Sequence, residues 1–167
     1  LAAFFFEELD VKVSLQLNSL GCLECRPAFR QNLLDFLQSK ADDLCTDCRR
    51  RITTNPLRVL DCKNDSCREL VKDAPSILEH LCSECETHFE LVKSALQKLG
   101  VEYSLNKFMV RGLDYYCHTA FEFVTDALGT QGTVLGGGRY DGLSEMLGGP
   151  AVAGVGWAAG VERLAML

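Results

Sequence analysis

Three clusters of arginine, glycine and tyrosine lie in the last third of the chain, and their residue types suit an anionic ligand. They are residues 111–116 (RGLDYY), 136–141 (GGGRYD) and 154–164 (GVGWAAGVERL). The arginine guanidinium is a planar fork of donors that matches a carboxylate or phosphate, and tyrosine joins an apolar face to a polar tip. The clusters therefore predict a site for an anion that also carries a hydrogen-bonding ring or amine.

A purely structural role is the alternative for each of these side chains. Arg111 and Arg163 would then be exposed charges, and the paired tyrosines would pack on alternate faces of a strand. The glycines at 136–138 would form only a tight turn, although three together also allow a ligand to approach the backbone. Gly154 and Gly156 are expected in a strand, where glycine weakens packing unless something lies against the backbone.

Eight of the nine cysteines form four close pairs. The pairs are Cys22 and Cys25, Cys45 and Cys48, Cys62 and Cys67, and Cys82 and Cys85. Three pairs have two residues between them, a spacing at which one turn can place both thiolates on a tetrahedral metal. The pattern predicts one or two structural zinc sites, and we expect the first four cysteines to form one group and the last four another.

Disulfides, a redox Cys-x-x-Cys motif and an iron–sulfur cluster are the alternatives for these cysteines. A cytoplasmic setting disfavours disulfides, and three copies without a flanking strand–helix unit disfavour a redox motif. The spacing is also compatible with an iron–sulfur cluster. Cys117 stands alone and is expected to be a small buried residue. His80, His88 and His118 are expected at the surface or in packing, with His88 a secondary candidate for zinc and His118 for a pocket wall.

Length and composition favour one globular domain that carries an inserted segment. The 167 residues are 47% hydrophobic, enough for one moderate core. The net charge of -6 excludes a broadly basic nucleic-acid surface, so any RNA contact is expected to be local or supplied by other parts. Seven basic against three acidic residues between Arg49 and Lys72 form one such local patch, for which a solvated face is the alternative.

The two ends of the chain suggest a piece of a longer protein. The sequence starts without methionine, and both ends read as helices that are cut partway. The apolar residues 1–6 are too few to span a membrane, are followed by acidic residues and lack a basic leader. We therefore expect a soluble, cytoplasmic protein with no membrane partner.

Hydrophobic periodicity predicts an α+β fold. A helix ends near Asp10, a strand alternates over 11–18, and helices follow from Pro27 and over 86–99, with Gly100 ending the second. Short strands are expected at 101–103, 121–124, 133–135 and 152–157, before a last helix. This order favours a largely antiparallel sheet flanked by helices, formed by residues 1–20 and 86–167. Residues 21–85, where periodicity weakens after 41, are predicted to be a mostly helical, cysteine-rich insertion domain.

These stretches resemble histidyl-tRNA synthetase, a class II aminoacyl-tRNA synthetase, along essentially the whole chain. Residues 111–116 resemble one of the two histidine-specific signatures of the family, and residues 137–141 resemble the other. Residues 160–164 resemble the third motif shared by class II enzymes. Residues 17–21 and 55–61 also match. The resemblance implies the class II antiparallel sheet, with the first two class motifs and the anticodon-binding domain outside this chain.

The resemblance also implies a function, a histidine–tRNA ligase. This enzyme activates histidine with ATP and Mg²⁺ to histidyl-adenylate and transfers it to tRNA(His), as a homodimer; the isolated fragment is expected to be inactive. Two other functions are weighed: the regulatory subunit of ATP phosphoribosyltransferase, a non-catalytic relative, and a zinc-dependent module that binds RNA or protein. The first usually lacks such an insertion, and the second leaves the clusters after Leu105 unexplained.

The resemblance assigns roles to individual side chains. Arg111 is implied as the catalytic arginine that holds the α-phosphate and the substrate carboxylate, where attack on phosphorus gathers negative charge. Tyr116 would contact the substrate imidazole, and Tyr115 and Tyr140 would complete the histidine pocket. Arg163 would bind the γ-phosphate of ATP, and Gly156 would leave room for adenosine. Asp114 is expected to brace the loop.

Overall fold

The protein folds as a five-stranded sheet joined to a compact group of short helices. The computed structural model describes residues 1–111, 115–129 and 132–167. The strands are β1 (Ser14–Ser19), β2 (Tyr103–Leu105), β3 (Cys117–Val124), β4 (Thr133–Arg139) and β5 (Val155–Ala159). The helices are α1 (Ala2–Glu8), α2 (Cys25–Gln38), α3 (Thr46–Thr54), α4 (Leu57–Leu60), α5 (Asp65–Leu70), α6 (Ser83–Lys98), α7 (Leu143–Met146) and α8 (Val161–Leu164), with 3₁₀ turns at Ala41–Asp43 and Ile77–His80.

The sheet confirms the predicted α+β class and its largely antiparallel character. Its order is β2-β1-β3-β4-β5. Only β1 and β2 run parallel in the described part of the chain, and the three other pairings are antiparallel. Residues that lie opposite one another across neighbouring strands share a face of the sheet. The register therefore divides the sheet into two faces of different chemistry.

One face is apolar and carries the core of the sheet. It contains rows such as Leu15, Phe123 and Leu135 across β1, β3 and β4. Helix α1 covers it: the ring of Phe6 lies 5.1 Å from that of Phe123, and Phe5 lies 5.8 Å from Trp157. Phe6 is 1% exposed. The predicted helix at the start of the chain thus closes one side of the sheet.

The opposite face has almost no side chains over its last three strands. One row across the strands is Asn18, Ala120, Gly138 and Gly156, and the next is Gln16, Glu122, Gly136 and Ala158. We call Ala120, Gly136, Gly138, Gly156 and Ala158 the small-residue floor. Because these positions carry at most a methyl group, side chains from loops can lie directly on the backbone.

The helical part has a second core of its own. Phe29, Leu33 and Leu37 recur every four residues along α2 and are buried. They therefore form the face of the helix that packs into the core. Val59 and Ile77 pack into the same core, together with five buried cysteines, Cys25, Cys48, Cys62, Cys67 and Cys85. A core with so many cysteines is expected where helices are too short to bury much apolar surface.

Element boundaries differ from the sequence predictions by a few residues. Helix α6 begins at Ser83, not 86, because Cys82 takes an extended N-cap conformation just before it. It ends where predicted, before Gly100 at φ +69. Gly136, Gly137 and Gly138 lie inside β4, and Gly154 lies just before β5. The domain division at residues 85 and 86 stays a prediction, and it falls within α6. Within the described ranges, no helix has the length and apolar composition required to cross a bilayer.

Leu33→Ala should lower the free energy of unfolding by about 2 to 5 kcal/mol. Leu33 is fully buried in the helical core, and its removal combines lost burial with a cavity. Urea unfolding followed by circular dichroism measures this difference. Leu91→Ala in α6 is the matched control, since Leu91 is 65% exposed and should change stability by less than about 0.5 kcal/mol. Equal effects of the two substitutions would contradict the packing of α2.

Candidate functional site

The guanidinium of Arg111 lies against the small-residue floor. Nη1 donates to Glu122 Oε1 at 2.9 Å, and Nη2 donates to the carbonyl oxygens of Phe121 and Gly137 at 2.5 and 3.5 Å. A Cβ atom at Gly136 would lie 2.9 Å from Nη2, so only glycine allows this approach. Arg111 Nε is buried and has no hydrogen-bond partner among the described residues. The three hydrogen bonds from its Nη atoms hold the guanidinium in place.

Glu122 joins the two predicted arginines into one network. Its Oε2 accepts a hydrogen bond from Thr133 Oγ1 at 3.0 Å, while Oε1 pairs with Arg111. Arg163, from α8, donates through Nη1 to the carbonyl oxygen of the same Thr133. Arg111 and Arg163 are therefore linked through Glu122 and Thr133 across the first half of β4. Sequence reasoning missed Glu122, although one acid between Phe121 and Phe123 was an available signal.

The three predicted tyrosines gather beside this network. Ring centroids are 4.9 Å apart for Tyr115 and Tyr116, and 5.9 Å from each of them to Tyr140. We call these side chains the tyrosine cluster. The Arg111 guanidinium carbon lies 5.8 Å from the Tyr116 ring centroid, at cation–π distance. Burial raises the pKa of Tyr116, which keeps its hydroxyl protonated and able to donate at neutral pH.

Glycines of the floor let the tyrosine rings lie on the sheet. A Cβ atom at Gly138 would be 3.0 Å from the Tyr116 ring and 2.7 Å from Thr119 O. At Gly156 it would be 2.5 Å from the Tyr140 hydroxyl, and at Gly154 2.6 Å from the same ring. In the structure tyrosine side chains lie against these glycines, and the approach of a ligand to the same backbone stays a prediction. Asp114 lies outside the described residues, as do Gly112 and Leu113.

A cleft opens between the tyrosine cluster and the helical part. Its volume is about 480 Å³, within the range of small-molecule sites. Its lining includes Asn18, Arg26, Met109, Arg111 and Tyr116. The buried Asn18 donates from Nδ2 to Met109 O at 2.9 Å, which ties β1 to the segment leading into Arg111. A second cavity of about 600 Å³ has paired charges, such as Lys63 and Asp61, and lies apart from these groups.

The eight paired cysteines form two groups of four that could each bind a metal ion. The outer cluster is Cys22, Cys25, Cys82 and Cys85, and the inner cluster is Cys45, Cys48, Cys62 and Cys67. Within each cluster all sulfur atoms lie within 4.8 Å of one another. Zinc bonds of about 2.3 Å in a tetrahedron place sulfurs about 3.8 Å apart, so both clusters fit the metal. All nine cysteines are free thiols.

The predicted grouping of the first four and the last four cysteines is wrong. The chain from α3 to α5 closes on itself, which brings Cys62 and Cys67 to Cys45 and Cys48. The 3₁₀ turn at Ile77–His80 then packs on α2, and α6 starts beside the start of α2. Cys82 N donates to Cys25 Sγ at 3.2 Å. The clusters are therefore nested, which spacing along the chain cannot reveal.

Each cluster contains at least one thiol with a lowered pKa and at least one with a raised pKa. Burial raises the pKa of Cys22, but donors that include the backbone N–H groups of Cys25 and Glu24 outweigh it and lower the value to about 7. The backbone N–H of Cys48 lowers the pKa of Cys45 to about 7. Burial raises the pKa of Cys48, Cys67 and Cys85. Turn N–H groups thus favour one thiolate per cluster, the form that binds metal.

His118 lies next to the outer cluster, not in a surface position. Its Nδ1 is 3.6 Å from Cys85 Sγ, and burial lowers its pKa, which favours the neutral ring. His88 lies 5.2 Å away, ring to ring, and its Nε2 is 3.0 Å from Arg139 Nη1. Cys117 is half-buried and comes close to His118 and Asp141, a third group of possible ligands. Asp141 is already paired with Arg139 at 2.8 Å.

The largely antiparallel sheet with flanking helices agrees with the class II aminoacyl-tRNA synthetase fold that the resemblance implies, and it matches a solved structure of that class. Residues 12–164 match the family model described as histidyl-tRNA synthetase. The chain belongs to the histidyl-tRNA synthetase family.

Individual relatives agree with this family. A histidine–tRNA ligase of Desulfotalea psychrophila is 56% identical over 168 residues, covering 100% of this chain and 39% of the relative. One from Nitratidesulfovibrio vulgaris strain DP4 is 59% identical over 165 residues, covering 98% of this chain and 40% of the relative. The crystal structure of apo S. aureus histidyl-tRNA synthetase has a TM-score of 0.72 at 34% identity, over 99% of this chain and 40% of that one. The chain spans about 40% of the length of these relatives.

Proposed function

We propose that the chain is part of the catalytic domain of a histidine–tRNA ligase, which activates histidine with ATP and transfers it to tRNA(His). The observation that carries the proposal is the meeting of Arg111 with the tyrosine cluster on the small-residue floor. A fixed cation beside three donor-bearing rings is suited to an amino acid whose side chain has a donor and an acceptor nitrogen. Such a pocket rejects other amino acids because they would leave its polar groups unpaired.

The role proposed for Arg111 is stabilisation of charge during adenylate formation. The histidine carboxylate attacks the α-phosphorus of ATP, pyrophosphate leaves, and negative charge builds up between the two anions. The guanidinium of Arg111 would donate to such an anion, and the bonds to Glu122 and two carbonyls fix its position in advance. Mg²⁺ enters with ATP and neutralises phosphate charge. The tyrosine hydroxyls orient the histidine.

Arg163 and Gly156 are proposed to serve the nucleotide. Arg163 lies in the single turn of α8 and is joined through Thr133 and Glu122 to Arg111, which supports a shared ligand. An ATP molecule that contacts both arginines would present its α-phosphate to one and its γ-phosphate to the other. Gly156 is the proposed contact to adenosine, and its missing side chain also leaves room for the Tyr140 hydroxyl, which lies 2.5 Å from the Cβ position.

We further propose that both cysteine clusters bind zinc with a structural role. Four-thiolate ligation without a water position is typical of structural sites and leaves no open coordination site for catalysis. The inner and outer clusters each offer four sulfurs at fitting distances. Zinc would supply the stability that the short helices of residues 21–85, the proposed insertion domain, cannot obtain from apolar burial. A cytoplasmic location is proposed because it keeps such thiols reduced.

The assay that tests this function is histidine-dependent exchange of pyrophosphate into ATP by the full-length protein. We expect exchange with histidine and none with the other nineteen amino acids, followed by charging of tRNA(His). Full-length protein that binds ATP and histidine without exchange would contradict the proposal. That outcome would favour the regulatory subunit of ATP phosphoribosyltransferase, which the similarity to ligases does not favour. A metal-dependent RNA or protein module would bind neither ligand.

Gly156→Ala should raise the histidine KM by roughly ten-fold. The new methyl group would lie 2.5 Å from the Tyr140 hydroxyl, so the ring must move, and overpacking of this kind costs about 1 to 3 kcal/mol. Exchange kinetics at saturating ATP measure the effect. Gly142→Ala is the matched control, since nothing lies within 4 Å of its Cβ position. A rise in the ATP KM as well would fit the proposed adenosine contact, whereas unchanged KM values for both substrates would contradict a role for Gly156 in either site.

We also propose that the full-length protein forms a homodimer.

The basic patch between Arg49 and Lys72 is proposed to contact tRNA. Charge reversal at Arg49, Arg50 and Arg51, all on α3, should raise the tRNA KM and leave exchange without tRNA unchanged. The expected rise is roughly ten-fold or more, because each lost phosphate contact also removes counterion release. Aminoacylation kinetics at two salt concentrations measure it. An unchanged tRNA KM would mean that the patch is only a solvated face.

A further inference from the structure

The outer cluster lies where the helical part joins the sheet. Gly21, at the end of β1, accepts a hydrogen bond from His118 N at 2.9 Å, and Leu20 N donates to His118 O at 2.5 Å. A Cβ atom at Gly21 would be 2.7 Å from Cys25 Cβ, so the cluster packs directly on this junction. The junction is two residues from Tyr116. The cluster is thus next to the proposed histidine pocket.

Arg26 links the cluster to the pocket. It follows Cys25 in α2, and its Nε donates to Leu20 O at 3.2 Å while its Nη2 donates to Tyr116 O. One guanidinium therefore binds the backbone just after β1 and the backbone of the tyrosine segment. Sequence reasoning missed Arg26, because its partners are backbone carbonyls, and that of Tyr116 lies 90 residues away. Its position depends on Cys25, its neighbour and a member of the outer cluster.

His118 provides a second link at the same point. It adopts φ +50, a left-handed conformation that is uncommon for residues other than glycine. A shift in strand register between Cys117 and Ala120 accompanies it. This backbone places the ring 3.6 Å from Cys85 Sγ. A strained residue that persists between two functional groups indicates a constraint imposed by its surroundings.

Helix α6 connects the cluster to Tyr140 by another route. The helix begins between Cys82 and Cys85, and one turn later His88 contacts Arg139 at 3.0 Å. Arg139 holds Asp141 through two bonds of 2.8 and 2.9 Å, and Asp141 accepts from Gly154 N. Tyr140 lies between these two residues. The outer cluster is therefore tied to both sides of the tyrosine cluster.

The inner cluster has no such connection within the described ranges. Its hydrogen bond from Cys45 N to Cys67 Sγ stays inside the cluster. The charged side chains around it are bonded locally, as Lys63 is to Asp61. Metal at the inner cluster would stabilise the helical part without contact to the tyrosines. The two clusters thus have different consequences for the pocket.

We propose that Arg26 is a positioning residue that couples the outer cluster to the histidine pocket, so that bound metal at this cluster sets histidine affinity. The inference rests on the proposed function, in that Tyr116 contacts histidine and both clusters hold zinc. With metal bound, Cys25 fixes the start of α2, and Arg26 holds the Tyr116 backbone in place. Without metal this turn of α2 is released, and the Tyr116 segment loses its support.

The first test is Arg26→Met in the full-length protein, measured by pyrophosphate exchange. The substitution removes the charged donor that binds two carbonyl oxygens. We expect the histidine KM to rise about ten-fold and the ATP KM to change less than about two-fold. Arg26→Lys, which keeps the charge but lacks the planar fork that reaches both carbonyls, should restore part of the affinity. Lys98→Met is the control: Lys98 is an exposed cation at the far end of α6, its side chain makes no hydrogen bond to a described residue, and it does not line the cleft.

The second test uses the reciprocity of coupled sites. If bound metal strengthens histidine binding, histidine must strengthen metal binding by the same factor. At equilibrium with a chelating dye, saturating histidine should lower the apparent dissociation constant of one of the two zinc ions several-fold in the wild-type protein. In Arg26→Met, histidine should leave both zinc affinities unchanged.

The outcomes separate this inference from the function on which it rests. A wild-type protein without zinc, or without histidine binding in calorimetry, contradicts the proposed function and the inference together. A protein that holds both, in which Arg26→Met matches Lys98→Met in histidine KM, overturns the inference alone. Equal zinc affinities with and without histidine also overturn it.

Discussion

Chelation of the full-length protein under reducing conditions should release two zinc ions per chain and unfold residues 21–85. Helices α3, α4 and α5 have nine, four and six residues, lengths at which isolated helices are unstable in water. Structural zinc binds with apparent free energies of about 10 to 16 kcal/mol in small domains. We expect few titratable thiols before chelation and nine afterwards. Metal analysis, thiol titration and circular dichroism measure these changes together.

The grouping of the cysteines can be tested with one double variant. Cys45→Ser with Cys62→Ser removes two ligands from the inner cluster and should leave one zinc ion bound per chain. If the first four cysteines formed one site and the last four another, both sites would be damaged and both ions lost. Cys117→Ser is the control, since Cys117 belongs to neither cluster, and should retain two. Native protein with nine free thiols and no metal would contradict both zinc sites.

Periodic patterns predicted those elements whose buried faces repeat regularly. The four-residue repeat of Phe29, Leu33 and Leu37 located α2, and Gly100 marked the end of α6. Alternation in 11–18 located β1. The glycines 136–138 were harder to assign, because glycine suits both turns and close approaches. Pairing with β3 on one side and β5 on the other keeps them in a strand.

The candidate site was predicted in its residue types but not in its supporting contacts. Arg111 and the tyrosine cluster were chosen from sequence, and the structure brings them together, while their individual roles stay predictions. The supports Glu122 and Arg26 were missed. Both act on partners distant in sequence, so their function depends on tertiary contacts that local spacing does not encode. The grouping of the cysteines was predicted wrongly for the same reason, because it also depends on tertiary contacts.

Arg111→Met should lower kcat for histidine-dependent pyrophosphate exchange by about 10² to 10³, the effect of losing one preorganised donor to an anion. Arg111→Lys should recover little of it, because an ammonium group cannot bind Glu122 and two carbonyl oxygens while it also donates to a ligand. Lys98→Met, a change at an exposed cation outside the cleft, should exchange pyrophosphate at the wild-type rate. Exchange at saturating ATP and histidine measures all three variants.

Loss of Arg111 also leaves Glu122 unpaired, and a stability effect must therefore be separated from a chemical one. The pair is largely buried, with side-chain exposures of 17% and 20%, so removal of one partner destabilises the sheet. Arg111→Met combined with Glu122→Gln removes both charges and should recover much of the thermal stability. If Arg111 acts on the transition state, kcat stays low in this double variant. Recovery of kcat along with stability would mean that Arg111 serves only to hold β3 and β4 together.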